Sequence, residues 1–150
     1  MKLYKFIPTN PPHSPSWLAS RYKRLELRHS PDGNEQWLNW VIRLKENRKP
    51  VGLIEVTIHG DQSALLAYTV FVDEWGKGYA REACGWVINE LFRQFLVKEF
   101  ISHVDRRNAR SISLLEALNF SLVKTISSAD YFKNAKSDEY VYSLRDRGIL

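Results

Sequence analysis

The strongest constraint in this chain is a change of hydrophobic period between residues 65 and 96. Leu65–Val72 is a nearly all-apolar run, the pattern of a strand covered on both faces. From Tyr79 onward, Ala80, Ala83, Cys84, Val87, Ile88, Leu91, Phe92, Phe95 and Leu96 recur at three and four residues, which predicts a long amphipathic helix. Between the two lies Trp75-Gly76-Lys77-Gly78. A helix start leaves backbone N–H groups unpaired, and the helix dipole favours anions there. Gly76 and Gly78 permit unusual backbone angles and the close approach of a ligand, while Lys77 and Arg81 add positive charge. Together they suit a pyrophosphate. A tight strand-to-helix turn with no ligand would use the same glycines.

The flanking sequence supplies the rest of a sheet. Residues 1–14 hold Pro8, Pro11 and Pro12 and read as an extended lead-in. Ser14 then caps a helix with Pro15 at its first position, and Trp17, Leu18, Tyr22, Leu25 and Leu27 form its apolar face up to the stop at Pro31-Asp32-Gly33. Trp37–Lys45 alternates with a period of two, and Val51–Ile58 is rich in β-branched residues; both read as strands. After the long helix come a strand at Glu99–Val104, a helix at Asn108–Leu118, and strands at Phe120–Ile126 and Glu139–Leu144 joined by a polar loop through Asp130 and Lys133. The predicted order is helix, three strands, helix, strand, helix, two strands. That order predicts an α/β domain with a mixed, mostly antiparallel sheet flanked by helices, and one such domain over residues 1–150.

Composition narrows the function. The net charge of +5 fits an anionic ligand, but the basic residues are scattered, so nucleic acid is not the expected partner. Arg106, Arg107 and Arg110 form a short cluster that suits either a phosphate-bearing ligand or nucleic acid. The single Cys84 permits no internal disulfide and falls on the inward helix face, as a core residue does. His13, His29, His59 and His103 lie too far apart for zinc spacing, so no metal is expected. No run matches a signal peptide or a membrane span, and the expected location is the cytoplasm.

Two better-known phosphate motifs do not fit the loop. A Walker loop requires Gly-Lys-Ser/Thr, and a dinucleotide fingerprint requires Gly or Ala where Arg81 stands. Instead, Trp75-Gly76-Lys77-Gly78-Tyr79-Ala80 resembles the acetyl-CoA loop of the GNAT superfamily of N-acetyltransferases, Q/R-x-x-G-x-G/A, with Trp75 in place of Gln or Arg. That replacement is similar to the branch of ribosomal-protein alanine acetyltransferases. A second segment, Arg107-Asn108-Ala109-Arg110-Ser111 followed by Leu114-Leu115-Glu116-Ala117-Leu118-Asn119-Phe120, resembles the N-x-x-S…LLEKLGF segment of the same family, in the right order and spacing.

The resemblance implies an acetyl-CoA-dependent N-acetyltransferase that acts by direct attack of a primary amine in a ternary complex. It implies a V-shaped splay between the cofactor strand and the next one. The backbone of Val70, Phe71 and Val72 would bond the pantetheine arm. N–H groups of Gly76, Lys77, Gly78, Ala80 and Arg81, within the segment Trp75 to Arg81 that also holds Tyr79, would take the pyrophosphate. Asn108 would bond the cofactor arm, and Ser111 would sit near the thioester sulfur; both are also good caps for the helix they open. A backbone N–H near Phe71 or Val72 would face the developing oxyanion. Glu55, a carboxylate inside an apolar strand, is the candidate base or an outward, solvated side chain. Asp130 and Tyr131 would border the acceptor, or belong to an ordinary polar connection.

The chain departs from the family pattern at four places. The family's opening strand would precede Met1, and the sheet edge this leaves favours a homodimer. Leu115 stands where many members carry a Tyr general acid, Leu65 where related members carry Glu, and Asn119 where Gly is usual. A CoA-like thiol has a pKa of about 8.5 on the cysteine reference, so its thiolate leaves without much help and positioning can carry much of the rate. The alternative is a non-catalytic acyl-CoA-binding or regulatory domain.

Overall fold

In the computed structural model the described residues are 5–6, 11–132 and 135–146, with backbone only for 130–132 and 135. The elements are α1 (Pro15–Leu25), β1 (Glu35–Arg43), β2 (Pro50–His59), β3 (Ser63–Val70), a 3-10 turn (Val72–Glu74), α2 (Tyr79–Gln94), β4 (Glu99–Asp105), α3 (Ala109–Ala117), β5 (Ser121–Phe132) and β6 (Ala135–Arg145). Their order is the one the periodicity predicts. The strands form one sheet in the order β1-β2-β3-β4-β6-β5, antiparallel throughout except for the parallel pair β3–β4.

The core lies on one face of this sheet. Ile54, Val56 and Ile58 of β2, Ala64 and Leu66 of β3, and Phe100 and Val104 of β4 meet Cys84, Val87, Ile88 and Leu91 of α2 and Leu115 of α3. Cys84 is fully buried there, and burial pushes its thiol up to about 12, so it serves as an inert core residue. Phe100 is fully buried and stands edge-on to Phe92 with ring centroids 5.0 Å apart. Glu55 alternates with Ile54 and Val56 and therefore projects from the opposite face, where α1 crosses and Arg21 reaches it.

Four sequence expectations need correction. β3 is not covered on both faces: Leu65 and Ala67 are exposed, and the strand stops at Val70 because the Glu74 N–H closes a turn onto the Phe71 carbonyl. α2 ends at Gln94, leaving Phe95 and Leu96 exposed, with Leu96 at φ 53. α1 stops at Leu25 and buries none of its residues; Arg28 at φ 60 turns the chain well before Pro31. Residues 127–132 and 135–138 are not a loop, since β5 runs on to Phe132 and β6 begins at Ala135, the two strands pairing antiparallel, while Lys133 lies outside the described residues. An irregular register between Ile126 and Asp130, with Ser128 at φ 51, breaks the alternation that marks a strand in sequence. Asn119 adopts φ 66 directly after α3, the left-handed position that Gly usually fills.

Candidate active site

β3 and β4 pair over only three residues, from Ser63 and Glu99 to Leu65 and Ile101, and then separate. The last link across the gap is a side chain: the Ser102 hydroxyl donates to the Leu66 carbonyl at 3.0 Å. Backbone direction alternates along a strand. The Phe71 N–H points toward β2, donating to the Val51 carbonyl at 2.9 Å, so the peptide groups of Tyr68 and Val70 face the splay. Phe71 therefore has no N–H to offer an oxyanion; the splay-facing groups belong to Tyr68 and Val70. The Val70 carbonyl in turn accepts the Trp75 indole N–H at 2.8 Å, which fixes the indole as a wall of the gap.

The glycine loop is anchored from behind. Glu74 is buried, and its carboxylate accepts from Lys49 Nζ at 2.7 Å and Lys77 Nζ at 2.8 Å. The hydrogen bonds from Lys49 and then Lys77 hold the Glu74 carboxyl below its ordinary range. The Lys77 ammonium is thus turned back into the protein rather than toward the hollow. Gly76 and Gly78 have φ of 76° and 81°, and a Cβ on either would meet nothing within 4 Å. Gly78 is the N-cap of α2 and, unlike Ser14 of α1 or Asn108 of α3, supplies no capping side chain. The first intrahelical bond runs from Glu82 N–H to the Gly78 carbonyl, so the N–H groups of Tyr79, Ala80 and Arg81 have no partner inside the helix. Open space, uncapped amides and the helix dipole together fit a phosphate-bearing ligand.

The third wall is the start of α3. Asp105, buried at the end of β4, accepts from Arg107 Nε at 2.9 Å, Arg107 Nη2 at 2.6 Å and the Ser137 hydroxyl at 2.6 Å. Burial opposes its charge, but the bonds from Arg107 and Ser137 prevail and hold its carboxyl at about 2. This depressed carboxyl stabilises the fold fully above the unfolded value of about 3.8 and ceases to do so as pH falls through about 2. Asp105→Asn is therefore expected to lower stability by about 2 kcal/mol near neutral pH. Its deficit against the native chain should shrink between about pH 4 and pH 2, as read by urea unfolding at a series of pH values.

Asn108 Oδ1 accepts the Ser111 N–H at 3.2 Å, the capping bond at the start of α3. The Ser111 hydroxyl lies 2.5 Å from the Tyr68 hydroxyl across the splay. The Arg110 guanidinium stacks over the Trp75 ring, 4.4 Å from its centroid. These walls enclose a cavity of about 600 Å³ between the end of β3, the glycine loop and the first turn of α3. An open groove of about 710 Å³ between α2 and the end of β6 shares Gly78 and Arg81 with it but reaches neither Tyr68 nor Ser111.

A strand that splays from its parallel neighbour, followed by a glycine turn into an uncapped helix, agrees with the family comparison. The model of the acetyltransferase (GNAT) domain matches residues 1–121. The chain belongs to the GNAT acetyltransferase family. Solved structures share its fold at low identity. Ribosomal-protein-S5-alanine acetyltransferase from Vibrio fischeri superposes with a TM-score of 0.82 at 20% identity, over 98% of this chain and 81% of that one. Spermidine N-acetyltransferase from Vibrio cholerae, solved with CoA and spermine, gives 0.82 at 18% identity over 96% and 82%. A GNAT-family acetyltransferase from Bacillus anthracis gives 0.79 at 17% identity over 96% and 81%. No curated protein sequence matches the chain.

In this GNAT domain the cavity gathers Val70, Trp75, Gly76, Gly78, Tyr79, Ala80, Arg81, Asn108 and Ser111 from the residues expected in sequence. Phe71, Val72 and Lys77 do not line it, and neither does Glu55, which bonds Arg21 at 2.7 Å on the other face of the sheet. The side chains of Asp130 and Tyr131 lie outside the described residues; their backbone pairs with Ser137 and Lys136. Sequence reasoning missed Tyr68 and the Glu74 anchor, whereas Arg110, one of the three arginines suited to a phosphate-bearing ligand, does line the cavity. Tyr68 was within reach of it, because strand alternation gives Tyr68 the same orientation as Val70. Leu115, at the family's Tyr position, is fully buried in the core.

Proposed function

We propose that this GNAT domain is an acetyl-CoA-dependent N-acetyltransferase that moves the acetyl group to a primary amine by direct attack in a ternary complex. The observation that carries the reading is the uncapped start of α2 behind Gly76 and Gly78, opening onto the splay between β3 and β4. The N–H groups of Tyr79, Ala80 and Arg81 bind the diphosphate, and the Arg81 and Arg110 guanidiniums add charge beside it. The Trp75 indole and Asn108 border the pantetheine arm. The Tyr68 and Val70 peptide groups facing the splay are placed to bond the arm and, through an N–H, the thioester carbonyl as it gains charge.

Glu55 pairs in register with Ala67 of β3 on the face away from the cavity. We assign that face to the acceptor, whose ammonium would take the place Arg21 holds on Glu55. An amine of Lys type has a pKa of about 10.4 and a chain N-terminus about 7.7–8.0, so the acceptor arrives mostly protonated and a carboxylate both attracts it and draws off its proton. Glu55→Gln should lower turnover about 100-fold and leave acetyl-CoA affinity unchanged. Equal turnover across pH would remove Glu55 from the reaction.

The solved relatives support an amine as acceptor, since one is a ribosomal-protein-S5-alanine acetyltransferase and another was solved with spermine. The four acceptor classes to compare are ribosomal-protein N-termini, free amino acids, polyamines and aminoglycosides. Release of free thiol from acetyl-CoA with one of them tests the assignment. The buried Leu115 in place of a Tyr acid favours a second reading, a non-catalytic acyl-CoA-binding domain. Acetyl-CoA binding without thiol release from any acceptor would establish that reading.

A further inference from the structure

The contact between Tyr68 and Ser111 joins two walls of the cavity. Tyr68 comes from β3 and Ser111 from the first turn of α3, and both line the cavity. The Tyr68 hydroxyl has two acceptors in reach, the Ser111 Oγ at 2.5 Å and the Ser111 carbonyl at 3.2 Å. A phenol has one proton to give. If it goes to the carbonyl, the short contact between the two hydroxyls requires the Ser111 proton to point back at Tyr68. If it goes to Oγ, the Ser111 proton is free to turn into the cavity.

We propose that Tyr68 is a positioning residue that turns the Ser111 hydroxyl onto the sulfur of the departing CoA, so that a two-hydroxyl chain stabilises the thiolate. The inference rests on the acetyl-CoA reading above. In the step concerned, the amine nitrogen forms a bond to the acetyl carbon and the C–S bond breaks with its electron pair on sulfur. The Ser111 O–H then donates a hydrogen bond to the thiolate while Tyr68 O–H donates to Ser111 Oγ. No proton leaves either hydroxyl, and the amine's proton passes to water or a base on the acceptor side. Each donor polarises the next, so the pair exceeds the sum of its parts. Burial pushes the Tyr68 hydroxyl above the ordinary phenol value, which keeps it protonated throughout. The arrangement supplies from β3 and α3 jointly what the buried Leu115 cannot.

The test uses CoA itself and needs no acceptor. The thiol of bound CoA is titrated by the ultraviolet absorbance of its thiolate, in difference spectra against desulfo-CoA. The bound thiol in the native chain should ionise about one pH unit lower than in Tyr68→Phe. Ser111→Ala should show the same rise as Tyr68→Phe, and the double variant no further rise. A role confined to holding β3 to α3 would alter melting temperature and CoA affinity but not this pKa. Should Tyr68→Phe fail to fold, 3-fluorotyrosine placed at position 68, a stronger donor, should lower the bound thiol pKa further. The same titration in native and Tyr68→Phe protein, or no change with fluorotyrosine, overturns the inference and leaves the acetyl-CoA reading standing. Failure of the native chain to bind CoA overturns both.

Discussion

Gly78→Val is expected to weaken acetyl-CoA binding at least about 100-fold in isothermal titration, a loss of about 2.7 kcal/mol. Two effects combine. Gly78 sits at φ 81, where a β-branched residue is strained. Relief of that strain would rotate the peptide groups that set the direction of the first N–H groups of α2. A side chain there would also project into open space, since a Cβ meets no protein atom within 4 Å, and that space is the one proposed for the diphosphate. The same openness means that the substitution clashes with nothing in the core. The circular dichroism spectrum should therefore be preserved, with a fall in stability of only about 1–2 kcal/mol. Full affinity in Gly78→Val would show that the loop does not hold the ligand.

Gly52→Ala is expected to cause the larger loss of stability, about 3 kcal/mol in urea unfolding. An added Cβ would lie 2.4 Å from the Thr69 carbonyl oxygen and 3.2 Å from the Val70 Cα. Both are backbone atoms of β3, so neither can swing aside as a side chain would. The strand itself must shift at the point where Tyr68 and Val70 face the splay, and acetyl-CoA affinity should fall together with stability. Gly85→Ala is the matched control. Its Cβ would meet only the Leu118 Cδ2 at an ordinary 3.7 Å, inside a helix where Ala is favoured over Gly by about 0.5–1 kcal/mol. Gly85→Ala should therefore leave stability unchanged or raise it. Equal behaviour of the two variants would show that the close approach at Gly52 is unimportant.

The element order was legible because each segment carries its period in its own residues. Ser14-Pro15 marks the start of α1, the Trp37–Lys45 alternation marks β1, and the three-to-four spacing after Tyr79 marks α2. The glycine loop was legible for the same local reason. What stayed hidden depends on residues far apart in the chain. Glu74 meets Lys49, Tyr68 meets Ser111, and Arg21 meets Glu55 only after the sheet has formed. The long β5–β6 hairpin was hidden by its bulges, which erase the period of two. The splay came from the family resemblance rather than from any residue pattern. Lys77 shows what composition leaves open: its charge next to two glycines suits an anionic ligand, while in the fold its ammonium pairs with the buried Glu74 carboxylate.

The most direct test of the diphosphate site is an amide nitrogen–proton correlation spectrum of the labelled chain titrated with acetyl-CoA. The largest shifts are expected at Gly76, Gly78, Tyr79, Ala80 and Arg81, with smaller ones at Asn108 and Ser111. Saturating acetyl-CoA that leaves the amides of Tyr79, Ala80 and Arg81 in place, or moves only residues elsewhere, would contradict it.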